Sequence, residues 1–399
     1  MAELSDVLII GAGAAGLSTL ESLRRKGFTG SVTVVGAEKW LPYDRPPLSK
    51  QVLAGTWDIE RTQLRAPDAL DDLNAVFLLD DPVVSLDSVR RHALTESGRE
   101  LGAETIVIAT GVRARTLPGQ DGLDGVFAIR TRDDALALRA RFAEKPRVVV
   151  VGEGVLGVEA AATANSLGLD VTVVGPLAHP MLAQIGPLVG AALGRVHAEH
   201  GVRLRLGAGV ARLSHSDGKV NGVILADGEE LPADVVVVAI GSIPETEWLA
   251  DSGVTLDNGI VCDSYCRAAE SIYAVGDVCR WYDESRGAHI RLENRTNATD
   301  QAAAVAAAIV GSAQPYTPIP YFWTDQYDIK IQVHGVITPD ADVEIVDGSL
   351  DEGRFVAAYR TNGYVTAVLG WRMPKQSRLR RQLIVDDLSR ISALPSPAV

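Results

Sequence analysis

Two glycine-spaced turns are where this 399-residue chain could first do chemistry. One reads Gly11-x-Gly13-x-x-Gly16 within VLIIGAGAAG, the other Gly152-x-Gly154-x-x-Gly157 within VVGEGVLG. A turn of this spacing lets the backbone approach a pyrophosphate closely, and the N–H groups and dipole of the helix that follows favour the phosphate charge. Each turn closes a short apolar run and opens a helical pattern, Leu17–Lys26 and Val158–Leu167, and each helix leads to another short strand, Val32–Val35 and Val171–Val174. A single glycine motif is weak evidence, because a tight turn with no ligand has the same spacing. Two complete copies in one chain are far more specific and predict two dinucleotide sites. Glu38 follows the first copy where a ribose-binding carboxylate belongs. The second copy has Val174-Gly175-Pro176 there, with no acid, no Arg or Lys and only His179 nearby. NADH is therefore preferred to NADPH only for want of a cation to hold a 2′-phosphate.

Arg45 and Lys50 lie on the next feature, WLPYDRPPLSK, where three prolines in six positions exclude helix and strand and set a stiff extended loop. Such a loop is either a rigid connector or a mount for two cations against a phosphate or an anionic cofactor ring. Asp277 closes SIYAVGD, where a carboxylate caps a helix or hydrogen-bonds a ribityl hydroxyl. Tyr321-Phe322-Trp323-Thr324-Asp325-Gln326-Tyr327 packs four aromatics into seven positions of a chain only 5% aromatic. Phe322 and Tyr327 read as small-domain core; Trp323 either joins them or stacks on a ligand ring.

The elements that must position these groups follow from periodicity. Strands are expected at Ala75–Leu79, Val83–Leu86, Glu104–Thr110, Arg147–Val151, Val235–Ile240 and Ser271–Asp277, with helices at Asp133–Glu144 and Asn297–Val310. Beyond the linker prolines Pro315, Pro318 and Pro320, strands at Ile329–Gly335, Val343–Val346, Phe355–Arg360 and Tyr364–Trp371 predict an antiparallel sheet. Two or three domains are expected from the length, and 47% hydrophobic residues suffice to fill them. A net charge of −13 argues against a nucleic-acid partner. No apolar run approaches a membrane span, and Met1–Asp6 reads as a short acidic leader with no signal-peptide features; both predict a cytoplasmic protein with no membrane partner. Cys262, Cys266 and Cys279 form no CxxC pair and no zinc-type ligand set, so they read as buried thiols and no metal is expected.

In order and content, LPYDRPPLSK, ATG, GxGxxGxE, VGD and FWTDQYD resemble the oxygenase-coupled ferredoxin reductases of the putidaredoxin reductase type, over nearly the whole chain. The resemblance implies an α/β fold of two doubly wound dinucleotide-binding domains plus a C-terminal α+β domain with an antiparallel sheet. The FAD domain would take residues 1–113 and 241–314, the NAD(P)H domain 114–240, and the C-terminal domain 315–399. FAD and NADH, with NADPH as the alternative, would be the cofactors. Lys50 would lie near the flavin ring and pair with Glu159, these two carrying the catalytic roles. Gly11, Gly13, Ala14, Ala15, Gly16, Glu38, Arg45, Val83, Thr110, Arg130, Asp277, Arg295 and Trp323 would contact FAD or its surroundings. Gly152, Gly154, Leu156, Gly157 and Gly241 would serve the nicotinamide nucleotide. The chain departs from the family at Val155, Gly175 and Arg295, where an aromatic, an acid and a Trp are common.

The function so implied is hydride transfer from NAD(P)H to FAD, then single-electron transfer to a [2Fe–2S] ferredoxin that serves a cytochrome P450 or a Rieske oxygenase. Seven cations between Arg354 and Arg381, with no Asp or Glu among them, predict a basic docking patch for an acidic redox partner. One rival is a flavin reductase of a small-molecule, peroxide or rubredoxin acceptor, its thiol branch disfavoured by the missing cysteine pair. Another is a redox-sensing scaffold without turnover.

Overall fold

The strand β1 (Glu3–Ile10) ends in Val7, Leu8, Ile9 and Ile10, all buried, because a central parallel strand is covered on both faces. The computed structural model describes residues 3–392 of the chain. These fall into two units, each with its own parallel sheet. The first comprises Met1–Asp44, Glu60–Arg113 and Ile243–Ile319; the second comprises Arg45–Ile59, Ala114–Ser242 and Pro320–Val399. The proline-rich loop thus belongs with the second unit from Arg45 onward.

In the first unit, β1 lies between Glu100–Ile108 and β2 (Val32–Val35), and Ile272–Ala274 and Val76–Leu78 extend the sheet on either side, all in parallel pairing. Helix α1 (Ala14–Arg25) joins β1 to β2 and buries Leu17, Leu20 and Leu23 on one face. The strand Val83–Asp87 pairs antiparallel with His92–Thr95, which in turn pairs with Glu100–Ile108. Residues Glu3–Asp6, expected as a leader, instead form the first half of β1: Glu3, Leu4 and Ser5 pair with Leu101, Gly102 and Ala103. Met1 and Ala2 lie outside the described residues. The core of this unit includes Trp281 and the three cysteines, all buried and free.

The second unit repeats the pattern. A capped helix α2 (Arg132–Phe142) precedes β3 (Arg147–Val151), helix α3 (Val155–Ser166) and β4 (Asp170–Gly175). The parallel sheet runs Arg203–Leu206, β4, β3, Val235–Val238, Val126–Phe127. Helix α4 (Leu182–Glu199), unforeseen from the sequence, breaks at Gly186-Pro187, where Gly186 takes φ 73°. An antiparallel sheet follows in the order β5 (Tyr321–Gln326), Ile329–Gly335, Tyr364–Trp371, Arg354–Thr361, Asp342–Ser349. Three of the four clustered aromatics, Tyr321, Phe322 and Trp323, therefore lie on an edge strand. Phe355, Ile331 and Trp371 share one core with Val158 of α3 and Ile185 and Leu193 of α4. Helix α5 (Pro374–Arg380) and Gln382–Ser392 close the chain. No helix among the described residues is long and apolar enough to cross a membrane.

Candidate active site

Both glycine turns have one geometry, and it is the geometry of a pyrophosphate cradle. Gly11 and Gly152 adopt φ of 118° and 119°, a conformation that side chains rarely tolerate. A Cβ on Gly16 would overlap the Gly11 carbonyl, and one on Gly157 the Gly152 carbonyl, so each helix start is pressed onto its own turn. Gly13 and Gly154, by contrast, face open space, with nothing within 4 Å of where a Cβ would stand. Helix α2 begins on the side chain of Thr131 and the helix Arg295–Ile309 on that of Asn294, but α1 and α3 begin on Gly13 and Gly154 with no side-chain cap. Their first N–H groups and dipoles are left for a ligand, so the residues present fit a dinucleotide at each turn.

In the first unit the ATG and VGD motifs converge on this turn. Gly11 packs on Ala109 and Thr110, the Thr110 hydroxyl donates to the Glu245 carbonyl at 3.0 Å, and Gly276 lies against Ala15, next to Ala14 in the first turn of α1. Asp277 sits in the one-turn helix Gly276–Val278, where its carbonyl accepts from Arg291 at 3.0 Å. Glu38 is half-buried beyond β2 and accepts from the Tyr43 hydroxyl at 2.6 Å. Arg295 is paired with Asp44 at 2.7 Å and donates to Thr299, and Val83 lies in its hairpin opposite Thr95. Burial among Cys262 and Cys266 pushes the Cys279 thiol well above its ordinary value, which leaves it a poor thiolate.

The second unit holds the cationic loop. Its prolines do not exclude helix: Pro46–Ser49 form a one-turn 3₁₀ helix, because Pro46 and Pro47 occupy the first positions, where no N–H is needed. That turn ends at Lys50, whose ammonium meets Glu159 of α3 at 2.7 Å, with the two side chains only 11% and 5% exposed. Glu159 also accepts from the Ser49 hydroxyl at 2.6 Å and the Thr324 hydroxyl at 2.7 Å. Behind Thr324, Gln326 donates to its hydroxyl at 3.2 Å, and His197 of α4 donates to Gln326 at 2.7 Å. Burial, reinforced by the charge of His200, holds His197 below the ordinary imidazole value despite the opposing Gln326 bond. Thus Lys50 is locked by a buried lattice drawn from the proline turn, α3, α4 and β5. Ser49, Thr324, Gln326 and His197 escaped sequence reasoning; the polar TDQ inside FWTDQYD was the available signal.

Arg45 donates to the Arg130 carbonyl, and the Arg130 N–H donates to Asp134 at 3.0 Å. Gly241, at φ 98°, accepts from the Arg115 N–H at 3.0 Å, and Leu156 is in the first turn of α3. Trp323 stacks on Tyr321 at 6.0 Å, and Tyr321 on His334 at 4.7 Å. Phe322 does pack against the core, whereas Tyr327 lies in a turn at φ 54° and stacks on His200 at 3.7 Å. The expected basic patch is smaller than its sequence count. Arg360, Arg372 and Arg380 pair with Glu344, Asp328 and Asp347, brought in from other strands and turns. Arg354 is exposed on its strand, and Lys375, Arg378 and Arg381 are exposed on and just after α5, beside Leu379 at 66% exposure.

Two uncapped glycine cradles on two parallel sheets, with a locked lysine, define a two-dinucleotide oxidoreductase of the flavoprotein class. Comparison with known proteins agrees. The family "Pyridine nucleotide-disulphide oxidoreductase" matches residues 5–302, and "Reductase C-terminal" matches residues 321–393. The chain is 38% identical to rhodocoxin reductase of Rhodococcus erythropolis, over 88% of its own length and 82% of the relative's. It is 35% identical to the ferredoxin reductase component of chlorobenzene dioxygenase from a Cupriavidus species, over 95% and 92%. Among solved structures, the reductase in the covalent putidaredoxin reductase–putidaredoxin complex superposes with a TM-score of 0.91 at 34% identity, over 97% of this chain and 94% of that one. The chain belongs to the pyridine nucleotide–disulphide oxidoreductase family, in its putidaredoxin reductase-like branch, and is an oxidoreductase with FAD and NAD(P)H as cofactors.

Proposed function

We propose that this protein passes electrons from NADH through FAD to a [2Fe–2S] ferredoxin, which serves an oxygenase of the cytochrome P450 or Rieske kind. The observation that carries the reading is likeness over nearly the full chain to a reductase captured with its putidaredoxin. The chemistry that FAD would supply at this site is the conversion of two-electron hydride donation into one-electron delivery. The protein's part is binding and electrostatics. The N-termini of α1 and α3 would hold the two pyrophosphates. Lys50, fixed by Glu159, Ser49 and Thr324, keeps a positive charge in a water-poor place, where it stabilises developing negative charge.

We assign FAD binding to residues 1–113 and 241–314, nicotinamide binding to 114–240 and the acceptor-facing role to 315–399; the separate parallel sheets around the two cradles support the first two, while Arg45–Ile59 group with the second unit. Glu38, Arg45, Val83, Thr110, Arg130, Asp277, Arg295 and Trp323 are the further FAD-side residues of this reading. The cations Lys375, Arg378 and Arg381 supply the docking charge for an acidic partner. A cytoplasmic location fits a protein that uses NAD(P)H and keeps three free thiols. An acceptor reduced through a protein disulfide is disfavoured by the burial of all three cysteines.

The test is NADH and NADPH oxidation by the yellow protein, coupled to cytochrome c, with and without a [2Fe–2S] ferredoxin. Stimulation by ferredoxin is expected. Steady turnover with peroxide or a small acceptor and none with several ferredoxins would replace the proposal with the rival reductase.

A further inference from the structure

The carboxylate missing from the second cradle is present in space. In both cradles the first glycine donates its N–H to the last valine of the neighbouring strand: Gly11 to Val35 at 2.7 Å, Gly152 to Val174 at 2.8 Å. The next residues therefore correspond. Ala12 matches Glu153, and Gly36 matches Gly175. At the first cradle a Cβ on Gly36 would stand 2.7 Å from the Cβ of Ala12, and the acid follows two residues later as Glu38. At the second, a Cβ on Gly175 would fall inside the carboxylate of Glu153, and Leu177 is the counterpart of Glu38. The side chain of Glu153 thus fills the space into which a strand-end acid at position 175 would grow.

Its geometry suits a ligand. Glu153 is 5% exposed, its carbonyl accepts from Met181 N–H at 2.8 Å, and its carboxylate Oε1 accepts from Leu177 N–H at 2.9 Å. The backbone and one oxygen are fixed by the loop after β4, which leaves Oε2 beside Gly175 with little of the side chain's conformational freedom. Among the described residues, the hydrogen-bond partner of that carboxylate is a backbone N–H and not a cation. An acid at the end of the second strand of such a unit takes the ribose 2′-hydroxyl, and a 2′-phosphate in the same place meets like charge.

We propose that Glu153 is the ribose-recognition residue of the nicotinamide site, moved from the strand end onto the glycine turn, and that it selects NADH over NADPH. The glycine at 175 is the structural counterpart of that move. This deepens the proposed function and rests on the second cradle being the nicotinamide site.

The experiment titrates ADP-ribose and 2′-phospho-ADP-ribose into FAD-loaded protein by calorimetry, so that hydride transfer and ferredoxin play no part. Wild type should bind ADP-ribose at least tenfold more tightly. Glu153→Gln keeps an amide oxygen for the Leu177 N–H, and it should lower the preference about tenfold or more, as expected for one charge-assisted hydrogen bond. Glu153→Ala combined with Gly175→Asp should restore the preference by returning the acid to the strand. An unchanged preference in Glu153→Gln, equal weakening of both ligands, or a wild-type preference for the 2′-phosphate would overturn the proposal. Binding of neither ligand would overturn the nicotinamide cradle as well. Failure of ferredoxin reduction alone leaves these titrations intact, so the two failures are distinguishable.

Discussion

Replacing Lys50 and Glu159 singly and together tests whether the buried pair acts as one unit. At 2.7 Å and an effective dielectric constant of about 20, their gross attraction is about 6 kcal/mol. Removing both groups from water cancels much of that, but removing one partner alone strands a charge inside the protein, at about 3–5 kcal/mol. Glu159→Gln leaves the Lys50 ammonium without a carboxylate and gives the Ser49 and Thr324 hydroxyls one acceptor oxygen between them. Lys50→Met leaves the Glu159 carboxylate held by those two hydroxyls alone, so the smaller loss, nearer 3 kcal/mol, is expected there. In the double variant no charge is stranded, and the coupling should be about 2–3 kcal/mol. The assay is thermal melting of the four proteins at one saturating FAD concentration, since bound ligand shifts the midpoint by mass action. For a cooperative unit of roughly 200 residues, 1 kcal/mol moves the midpoint by about 2–4 °C, so each single variant should lose about 6–20 °C and the double markedly less than their sum. Additivity within about 0.5 kcal/mol, or single losses under about 1 kcal/mol, would refute the idea of a mutually dependent buried lattice.

Other outcomes follow from the same geometry. Lys50→Ala should slow reduction of the flavin by NADH in stopped flow more than it weakens NADH binding; an unchanged reduction rate would remove Lys50 from the chemistry. Gly16→Ala should give colourless protein, because its Cβ overlaps the Gly11 carbonyl, whereas Gly157→Ala should keep FAD and lose NAD⁺ affinity. Burial, with Arg381 and Arg378 adding to it, holds His334 down to about 4, and burial likewise depresses His197. The unfolded chain then binds protons below pH 6.5 that the folded chain does not, so stability should fall as pH drops from 6.5 toward 4, and His334→Gln should flatten that decline in pH-dependent melts. Arg378→Glu with Arg381→Glu should cut ferredoxin-dependent kcat/KM about tenfold at low salt while leaving NADH-dependent reduction of the flavin in stopped flow unchanged; no loss would move the docking surface elsewhere.

Local chemistry made much of this protein legible in its residues. The strands at Val32–Val35, Arg147–Val151, Ile329–Gly335 and Tyr364–Trp371 are where periodicity places them, since a strand buried on one or both faces must be apolar there. The two glycine turns were equally plain, because only glycine tolerates φ near 118° against a packed carbonyl. The Pro46–Ser49 turn was misread as extended because a proline pair serves both a loop and the first turn of a helix. Helix α4 was missed because Gly186-Pro187 interrupts its pattern, although the kink leaves Ile185, Val189 and Leu193 in one core. What only the tertiary structure decided is which distant groups share a point in space. Thr324 reaches Glu159 across 165 residues, and three of the seven cations near the end of the chain are neutralised by acids from elsewhere. The carboxylate of Glu153, in the second glycine turn, stands beside Gly175 in the fold. Spacing along a chain reports local backbone preference, but hydrogen bonds and charge act through distance, and only packing sets that.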